Sequence, residues 1–380
     1  MNIESDMQRW CRTSRRWLIV VGICGFAAMN ATADANLKTS GDPASLVNPF
    51  IGTSGTKIGG PIDTFPGASL PFGMIQWSPD TPSQPAGGGY DYKDHQITGF
   101  SLTHLSGPGC SVFGDIGVLP TIGRVQTPAT ASQPFAHADE QAAPGWYAVT
   151  LGEPGIRTEL SVTERTGLAR FTFPAGSSAN LLFKVSSDQA GVRAAHFEVT
   201  GPDQVSGSAT SGGFCGEPDK FTVYFVAQFN RPIVASGSWR KSRVTPGART
   251  ADGAGSGGWV SFDTAQQRSV EMKVALSYVS VADALVNLKA ENRDWDLAAM
   301  HQRATVRWNR MLQRITVAGG TRKQRETFYT ALYHVFLAPT IYSDVDGDYR
   351  GFDDKLHHVA AGHVEYANYS GWDIYRSDVP

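Results

Sequence analysis

The sequence predicts a β-sandwich or barrel, followed by a helical linker and the beginning of a helical domain. Residues 40–280 are rich in Gly, Pro, Ser and Thr and contain many short apolar runs, which is typical of short strands joined by turns. The spacing of the apolar residues becomes helical from Ser280 onward. Residues 340–380 mix turns, aromatic residues and His, and nothing there resembles the end of a domain.

The predicted strands are short apolar runs bounded by turn residues. One of them, Phe221–Phe229, is apolar on both faces and is therefore expected at the centre of a sheet. Residues 201–216 and 245–257 are polar and Gly-rich, and we expect loops there. The other expected strands are Trp146–Leu151, two strands within 157–173, 181–185, 258–262 and 270–279.

Helical signals begin with Ser280 and Asp283, which are spaced as in a capping box. Trp308, Leu312 and Ile315 then recur at i, i+4 and i+7, so residues 281–318 are predicted as a helical linker of about 35 residues. The pair Gly319 and Gly320 ends it. A second helical pattern covers about residues 322–337 and stops before a proline.

The first 33 residues have the order of a secretory signal peptide. Four arginines between residues 9 and 16 precede an apolar run at 17–29, and Ala31 and Ala33 form a small-x-small cleavage site. The apolar run is shorter than the roughly 20 residues that span a bilayer, which disfavours the alternative of a membrane anchor. We therefore predict cleavage after Ala33, a periplasmic or secreted location, and no membrane span after cleavage.

Charge and cysteine content limit the possible partners. The formal net charge is −2 at pH 7, and no basic face suggests nucleic acid as a partner. Cys110 and Cys215 remain after removal of the signal, and an oxidising compartment permits one disulfide between them. The sequence alone leaves open whether these two residues meet, because the distance between their Cα atoms decides it.

Two Gly-rich segments combine the side chains that sugar sites require. Residues 88–92 contain Asp91 between two tyrosines, and residues 99–110 contain His104 and Ser106. Neither segment has the strand-then-helix context of a nucleotide-binding loop. Ser106 lacks the Gly-x-Ser-x-Gly elbow of many serine hydrolases. Aromatic rings, carboxylates and hydroxyls on flexible backbone favour a sugar site, although a packed structural loop is the alternative.

A third segment, 369–376, places Trp372 beside Asp373. This pair could stack on a sugar ring and accept its hydroxyl protons; alternatively, Trp372 packs in the core and Asp373 pairs with Arg376. His357, His358 and His363 also lie close together in the sequence. A metal site there is conceivable, but their spacing is not the helical spacing that zinc favours, and exposed histidines are the preferred interpretation.

Taken together, these segments resemble glycoside hydrolase family 92. The resemblance rests on VNPFIGT (47–53), DTFPGASLPFGMIQWSPDT (63–81), GGYDY (88–92), GFSLTHLSGPGC (99–110) and YSGWDIYRS (369–377). It extends from about residue 45 to the end of the chain. One departure is that residues 56–60 and Asp63 stand where a more His-rich stretch is expected, which bears on linkage specificity.

The resemblance implies a fold of three parts: a β-sandwich at 40–280, a helical linker at 281–318 and the beginning of an (α/α)6 catalytic barrel at 319–380. It implies an exo-acting, inverting α-mannosidase that uses calcium and acts mostly on α-1,2-linked mannose of N-glycans. The expected partners are therefore mannose-containing oligosaccharides or glycoproteins. An inactive fragment, or a module that binds mannose without cleaving it, is the alternative.

The resemblance also assigns residues. Trp372 and Asp373 carry over as sugar-contacting residues, and Asp91 and His104 as further substrate-binding residues. The catalytic acid and base are expected beyond Pro380, together with most calcium ligands, so no catalytic residue and no metal ligand is assigned in this chain. The 380-residue chain alone is expected to be inactive.

Overall fold

The structure is a computed structural model that describes residues 41–55 and 63–369. Within these residues, two antiparallel sheets pack face to face as a sandwich. The first sheet has eight strands in the spatial order β1 (Ala68–Ser69), β2 (Gln76–Asp80), β4 (Gly99–Ser101), β5 (Gly117–Ile122), β11 (Ala179–Lys184), β18 (Ser256–Phe262), β15 (Ala235–Arg240) and β16 (Arg243–Pro246).

The second sheet of the sandwich has nine strands among the described residues. Their spatial order is β17 (Thr250–Asp252), β12 (Ala194–Val199), β13 (Gln204–Ser211), β14 (Phe221–Phe229), β19 (Ser269–Ser277), β10 (Thr166–Thr172), β9 (Ile156–Val162), β8 (Trp146–Leu151) and β7 (Gln141–Ala143). Three short pairs lie outside the sandwich: β3 (Gln96–Ile97) with β6 (Gln133–Pro134), β20 (Thr340–Ile341) with β23 (Tyr366–Ala367), and β21 (Asp348–Arg350) with β22 (Leu356–His358).

Aromatic side chains form the core between the two sheets. Phe183 of β11 lies 5.8 Å from Phe197, 5.9 Å from Phe225 and 6.3 Å from Phe229, all ring to ring, and these three belong to the nine-stranded sheet. Strand β14 lies between β13 and β19, so its run of apolar residues is central, as the sequence predicts.

The expectation of a loop at 201–216 is wrong for half of that segment, because residues 204–211 form β13. Small residues hide this strand from a search for apolar alternation. A Cβ at Gly207 would lie 2.1 Å from the backbone O of His196 and 2.8 Å from the Phe225 ring, so glycine permits this close packing. The second expected loop, 245–257, likewise contains β17.

Three helices follow the sandwich: α1 (Val281–Glu291), α2 (Leu297–Leu312) and α3 (Arg322–Val335). The Ser280 hydroxyl caps α1 by accepting a hydrogen bond from Asp283 N at 3.2 Å, as predicted. The linker, however, is interrupted at residues 292–296. The buried Asn292 side chain donates to Gly167 O at 2.9 Å, and Asp296 caps α2, so the break docks the chain onto β10.

Trp308 joins the sandwich to the helices. Its side chain is fully buried, its Nε1 donates to Ser69 O of β1 at 2.8 Å, and its ring lies 4.4 Å from the ring of Tyr333 on α3. A single buried indole therefore contacts β1, α2 and α3. None of the helices among the described residues has the length and apolar character needed to cross a membrane. The predicted signal segment, 1–33, lies outside the described residues.

Candidate functional site

Several loops of the sandwich that are far apart in sequence converge at one place. The backbone N of Tyr92 donates to Thr53 O at 2.8 Å, and Gly107 N donates to Asp63 O at 2.7 Å. These bonds join residues 47–53 to 88–92 and residues 63–67 to 99–110, and Leu105 N donates to Gly87 O at 3.1 Å, which links the two pairs. The fold therefore brings segments that carry the family resemblance into one loop cluster.

Helix α3 borders this loop cluster. Asn48 N donates to Thr330 Oγ1 at 2.9 Å, and Asn48 Nδ2 donates to Glu326 Oε1 at 3.2 Å. His334 lies near Gly52, and its Nε2 is buried without a hydrogen-bond partner among the described residues. Burial lowers the pKa of His334 to about 4, so it is neutral at physiological pH. The cluster thus lies where the sandwich meets α3.

His104 is an interior residue that supports the loops. It is 1% exposed, its Nδ1 donates to Gln76 O at 2.8 Å, and its Nε2 lies 3.1 Å from Asp80 Oδ1 and 3.2 Å from Ser101 Oγ. Both ring nitrogens therefore have partners inside the protein. His104 is therefore held by groups of the protein itself, and its expected contact with a sugar stays a prediction.

The loop with Asp91 packs directly on this His104–Asp80 pair. Gly89 has a φ of +71°, and a Cβ there would lie 2.5 Å from Asp80 Oδ1 and 3.1 Å from His104 Nε2. Only glycine combines this left-handed backbone with such a close approach. The buried His104–Asp80 pair therefore fixes the position of the backbone that leads to Asp91.

Asp91 is mostly buried, with 9% of its surface exposed. Its backbone N donates to Thr81 Oγ1 at 2.9 Å, and its Oδ1 accepts from Lys93 N at 2.9 Å. Among the described residues, none donates a hydrogen bond to Oδ2. The carboxylate is therefore held in one orientation with one oxygen free to accept a ligand hydroxyl.

An aromatic platform beside Asp91 was missed by the sequence reasoning. The Tyr92 ring is 39% exposed and stacks on the His137 ring at 3.9 Å with an interplanar angle of 15°. Behind it, Glu140 Oε2 lies 3.0 Å from His137 Nδ1 and accepts from Tyr90 OH at 2.8 Å, and Glu140 Oε1 accepts from Tyr147 OH. Burial, followed by the charge of Glu140, raises the pKa of both buried tyrosines, so they remain protonated donors.

No motif pointed to this platform, because His137 and Glu140 follow Tyr92 at a distance and belong to none of the Gly-rich segments. The only local signal is a His-x-x-Glu spacing in the 3-10 turn at His137–Asp139. That spacing is common and indicates little by itself. The tertiary contact with Tyr92 is what gives it meaning.

Trp372 and Asp373 lie outside the described residues, so their contact with a sugar stays a prediction. Earlier in the chain, the residues after α3 are bound to the sandwich. Phe72 N donates to Phe336 O at 2.9 Å, and Ile341 N donates to Phe72 O at 2.7 Å. The end of α3 and strand β20 are thereby attached to the 71–73 turn of the sandwich.

In 41–55 and 63–369, no group of three or more His, Cys, Asp or Glu side chains is arranged to hold a metal ion. His357, His358 and His363 are exposed, and the first two pair with Asp353 and Asp348 at 2.8 and 2.7 Å. The preferred interpretation of exposed histidines is confirmed.

A β-sandwich whose aromatic and acidic loops lie beside the start of a helical region is the two-part architecture that the sequence predicts. The sequence model of the glycosyl hydrolase family 92 N-terminal domain matches residues 46–277, and that of the family 92 catalytic domain matches residues 283–380. These matches cover most of the chain, which therefore belongs to glycosyl hydrolase family 92.

Solved relatives have the same fold. A family GH92 α-mannosidase from Bacteroides thetaiotaomicron is 30% identical, with a TM-score of 0.80 over 88% of this chain and 46% of that chain. Its complex with mannoimidazole has also been solved and matches with the same TM-score. A family GH92 inverting mannosidase from the same organism is 26% identical, with a TM-score of 0.77 over 89% of this chain and 46% of that one.

A curated relative is described as an uncharacterized secreted glycosidase of Arthroderma benhamiae. It is 25% identical over 335 residues, which is 80% of this chain and 42% of the relative. The chain thus spans less than half the length of the relatives that it matches. Its two family matches are to the N-terminal domain and to the catalytic domain.

Proposed function

We propose that this chain belongs to an exported α-mannosidase that removes terminal α-1,2-linked mannose from N-glycans with inversion of the anomeric configuration. Support comes from the mannosidases among the solved relatives, one of which is an inverting enzyme. The observation in this chain that carries the proposal is the loop cluster, where Asp91 and the Tyr92 ring lie beside α3. A carboxylate next to an exposed aromatic ring provides an acceptor for sugar hydroxyls and a face for the pyranose ring.

The role of this chain is to bind and orient the substrate. Inversion requires one carboxylic acid and one carboxylate about 6.5–9.5 Å apart on opposite faces of the sugar. We place both in the part of the relatives that this chain does not cover. Asp91 Oδ2 accepts a hydrogen bond from a sugar hydroxyl, and the Tyr92 ring stacks on an apolar face of the sugar. Trp372 and Asp373 contact the ring of the mannose that is cleaved.

Calcium remains part of the proposal as a hard cation that binds oxygen ligands. No step of the mechanism is assigned to it in this chain. Export is proposed on the order of arginines, apolar run and small residues before Ala33. N-terminal sequencing of the protein recovered from the periplasm or medium is expected to begin at Asp34, and an intact N-terminus would contradict it.

The decisive measurement is mannose release and binding with α-1,2-mannobiose, with calcium and with chelator, on a sample whose fold is checked by circular dichroism. We expect binding in the millimolar range, about −4 kcal/mol, and no release from this chain alone. Calcium-dependent release would show that the acid and base lie within the chain. Absence of binding by the folded protein would contradict the sugar-contacting role.

The platform gives this test a matched control. Tyr92→Ala removes the exposed ring and is expected to weaken mannobiose binding by roughly tenfold, in line with aromatic contacts worth about 1 kcal/mol or more. Phe352→Ala removes a more exposed ring elsewhere on the surface and is expected to leave binding unchanged. Equal affinities of the two variants would remove Tyr92 from the site.

A further inference from the structure

A cleft lies on the outer face of the eight-stranded sheet. Its volume is about 400 Å³, and Lys184 and Trp239 line it. Phe183 points into the core, so its neighbour Lys184 points outward. A Cβ at Gly257 would lie 2.1 Å from the Trp239 ring, whereas a Cβ at Gly258 would meet the core residue Phe197, which places Trp239 on the outer face as well.

The lining of this cleft contains neither Asp91 nor Tyr92, although it shares Asp80 with the support of the loop cluster. Helix α1 packs on the opposite side of the sandwich, where Ala284 and Leu288 contact Val226 and Ala275 of the nine-stranded sheet. Helix α3 contacts the loops around Asn48 rather than the cleft. The linker helices therefore leave this face of the sandwich open.

Lys184 gives the cleft an ammonium group with unused donors. Its Nζ donates to Ala131 O at 2.6 Å, and among the described residues no carboxylate lies within the 4.0 Å that defines an ion pair. Burial lowers the pKa of Lys184 to about 8, and the negative charge of Asp80 partly offsets this. The amine is still mostly protonated at neutral pH, and an ammonium has three N–H donors.

The acidic groups around the cleft complete its polar character. Asp80 lines it but is occupied by His104 and by Ser101 N. Asp188 also lines it and lies beside Asp115, and burial raises the pKa of both carboxyl groups. Two carboxyl groups, Asp80 and Asp188, thus line the cleft beside a single ammonium group, which disfavours an anionic ligand.

We propose that this cleft is a non-catalytic binding site for one neutral sugar ring. Lys184 donates a hydrogen bond to a ring or hydroxyl oxygen of the sugar, and Asp188 accepts a hydrogen bond from a sugar hydroxyl. Trp239 forms an apolar wall of the site. Ser256, whose buried hydroxyl has no hydrogen-bond partner, also lines the cleft. The volume lies within the range of about 300–1,000 Å³ that is usual for small-ligand sites. The site is independent of whether the chain hydrolyses mannosides.

The test is an NMR titration of the full chain with methyl α-mannopyranoside, glucose and glucuronate. We expect saturable binding of a neutral sugar in the millimolar range. Lys184→Met removes the donor, and Thr130→Trp fills the cleft entrance from an exposed position without altering a buried residue. Each is expected to weaken binding about tenfold, or 1.4 kcal/mol.

Lys289→Met on α1 and Thr127→Trp outside the cleft are the matched controls, and both positions are exposed. Unchanged affinity in these controls, with loss in either cleft variant, supports the site. Equal affinity in all four variants would show that the sugar binds elsewhere, such as beside Tyr92. Absence of saturable binding, or glucuronate binding more than tenfold tighter than glucose, would overturn the proposal of a neutral-sugar site.

Discussion

Gly89 shows how a single residue without a side chain positions the candidate site. Gly89→Ala would force a Cβ against Asp80 Oδ1, which hydrogen bonds hold in place, and would also strain the left-handed backbone. We expect a loss of about 1–3 kcal/mol in the free energy of unfolding. Gly109→Ala is the matched control, because its φ is +70° but nothing lies within 4 Å of the added atom.

Both variants strain a left-handed backbone. The difference between their free energies of unfolding in urea therefore measures the steric clash of the added Cβ at residue 89. We expect Gly89→Ala to be the less stable and also to weaken sugar binding, because the loop that carries Asp91 must lift from His104. If both variants lose the same stability and bind sugar alike, the close packing of the loop on the His104–Asp80 pair does not matter.

Asp344 makes stability depend on pH. Its Oδ2 accepts from Ser277 Oγ at 2.6 Å and its Oδ1 accepts from Asn287 Nδ2 at 2.5 Å, but burial raises its pKa to about 7. A folded-state pKa above the unfolded value of 3.8 means that the folded state holds the proton more tightly. The resulting stability is fully present below about pH 4 and is lost as the pH rises through 7.

We therefore expect the free energy of unfolding to fall between pH 4 and 7, with an upper limit of about 1.4 kcal/mol per pH unit from this group. Asp344→Asn cannot titrate, so its stability profile should be flatter over the same window. Urea unfolding at several pH values measures both profiles. Parallel profiles for the two proteins would contradict the raised pKa of Asp344.

A disulfide between Cys110 and Cys215 connects two loops that are 105 residues apart in sequence. The structure joins Cys110 to Cys215 with a Cα–Cα distance of 5.4 Å, which resolves the pairing that the sequence left open. It ties the segment containing Ser106 and Gly107 to the turn after β13. A bridge that closes a loop of 105 residues stabilises a protein by about 2–5 kcal/mol, mainly through the unfolded chain.

Reduction is therefore expected to lower the midpoint of guanidinium unfolding and to weaken sugar binding at the loop cluster. The double variant Cys110→Ala with Cys215→Ala should show the same lowered midpoint with and without reductant. If reductant also shifts the midpoint of the double variant, the effect does not come from this bridge.

Elements with a strong periodic pattern were predictable, and elements defined by tertiary contacts were not. The apolar spacing around Trp308 predicted the helix that is α2. The capping residue Ser280 predicted the start of α1. The break before Asp296 was missed because apolar spacing continues across it, whereas the buried Asn292 forms its decisive hydrogen bond with a distant strand. Strand β13 was missed because it consists mostly of small residues. They allow close packing against neighbouring strands but give no alternation of large apolar side chains in the sequence.

The candidate site follows the same distinction. The sequence motif identified the loop of Asp91, because aromatic, acidic and glycine residues are concentrated there. It could not show that His104 faces inward or that His137 supports Tyr92, since both facts depend on side-chain direction and on contacts between distant segments. Motifs located the loops of the site, and packing decided which of their residues face a ligand.

The sandwich and helices are expected to unfold as one unit, because Trp308 contacts both. Trp308→Ala would remove a fully buried indole and its hydrogen bond to Ser69 O, at a cost of about 3–5 kcal/mol. Val306→Ala on the same helix changes a residue that is 54% exposed and should alter stability by less than about 0.5 kcal/mol.

Far-ultraviolet circular dichroism reports the helices, and near-ultraviolet circular dichroism reports the packed aromatic core of the sandwich. For Trp308→Ala we expect both signals to shift to the same lower midpoint. A loss of the helical signal alone, with the sandwich signal unmoved, would mean that α2 and α3 are docked onto an independently stable sandwich. Helix α3 would then not be fixed relative to Asp91 and Tyr92, and the loop cluster would have to be completed by substrate or by further parts of the barrel.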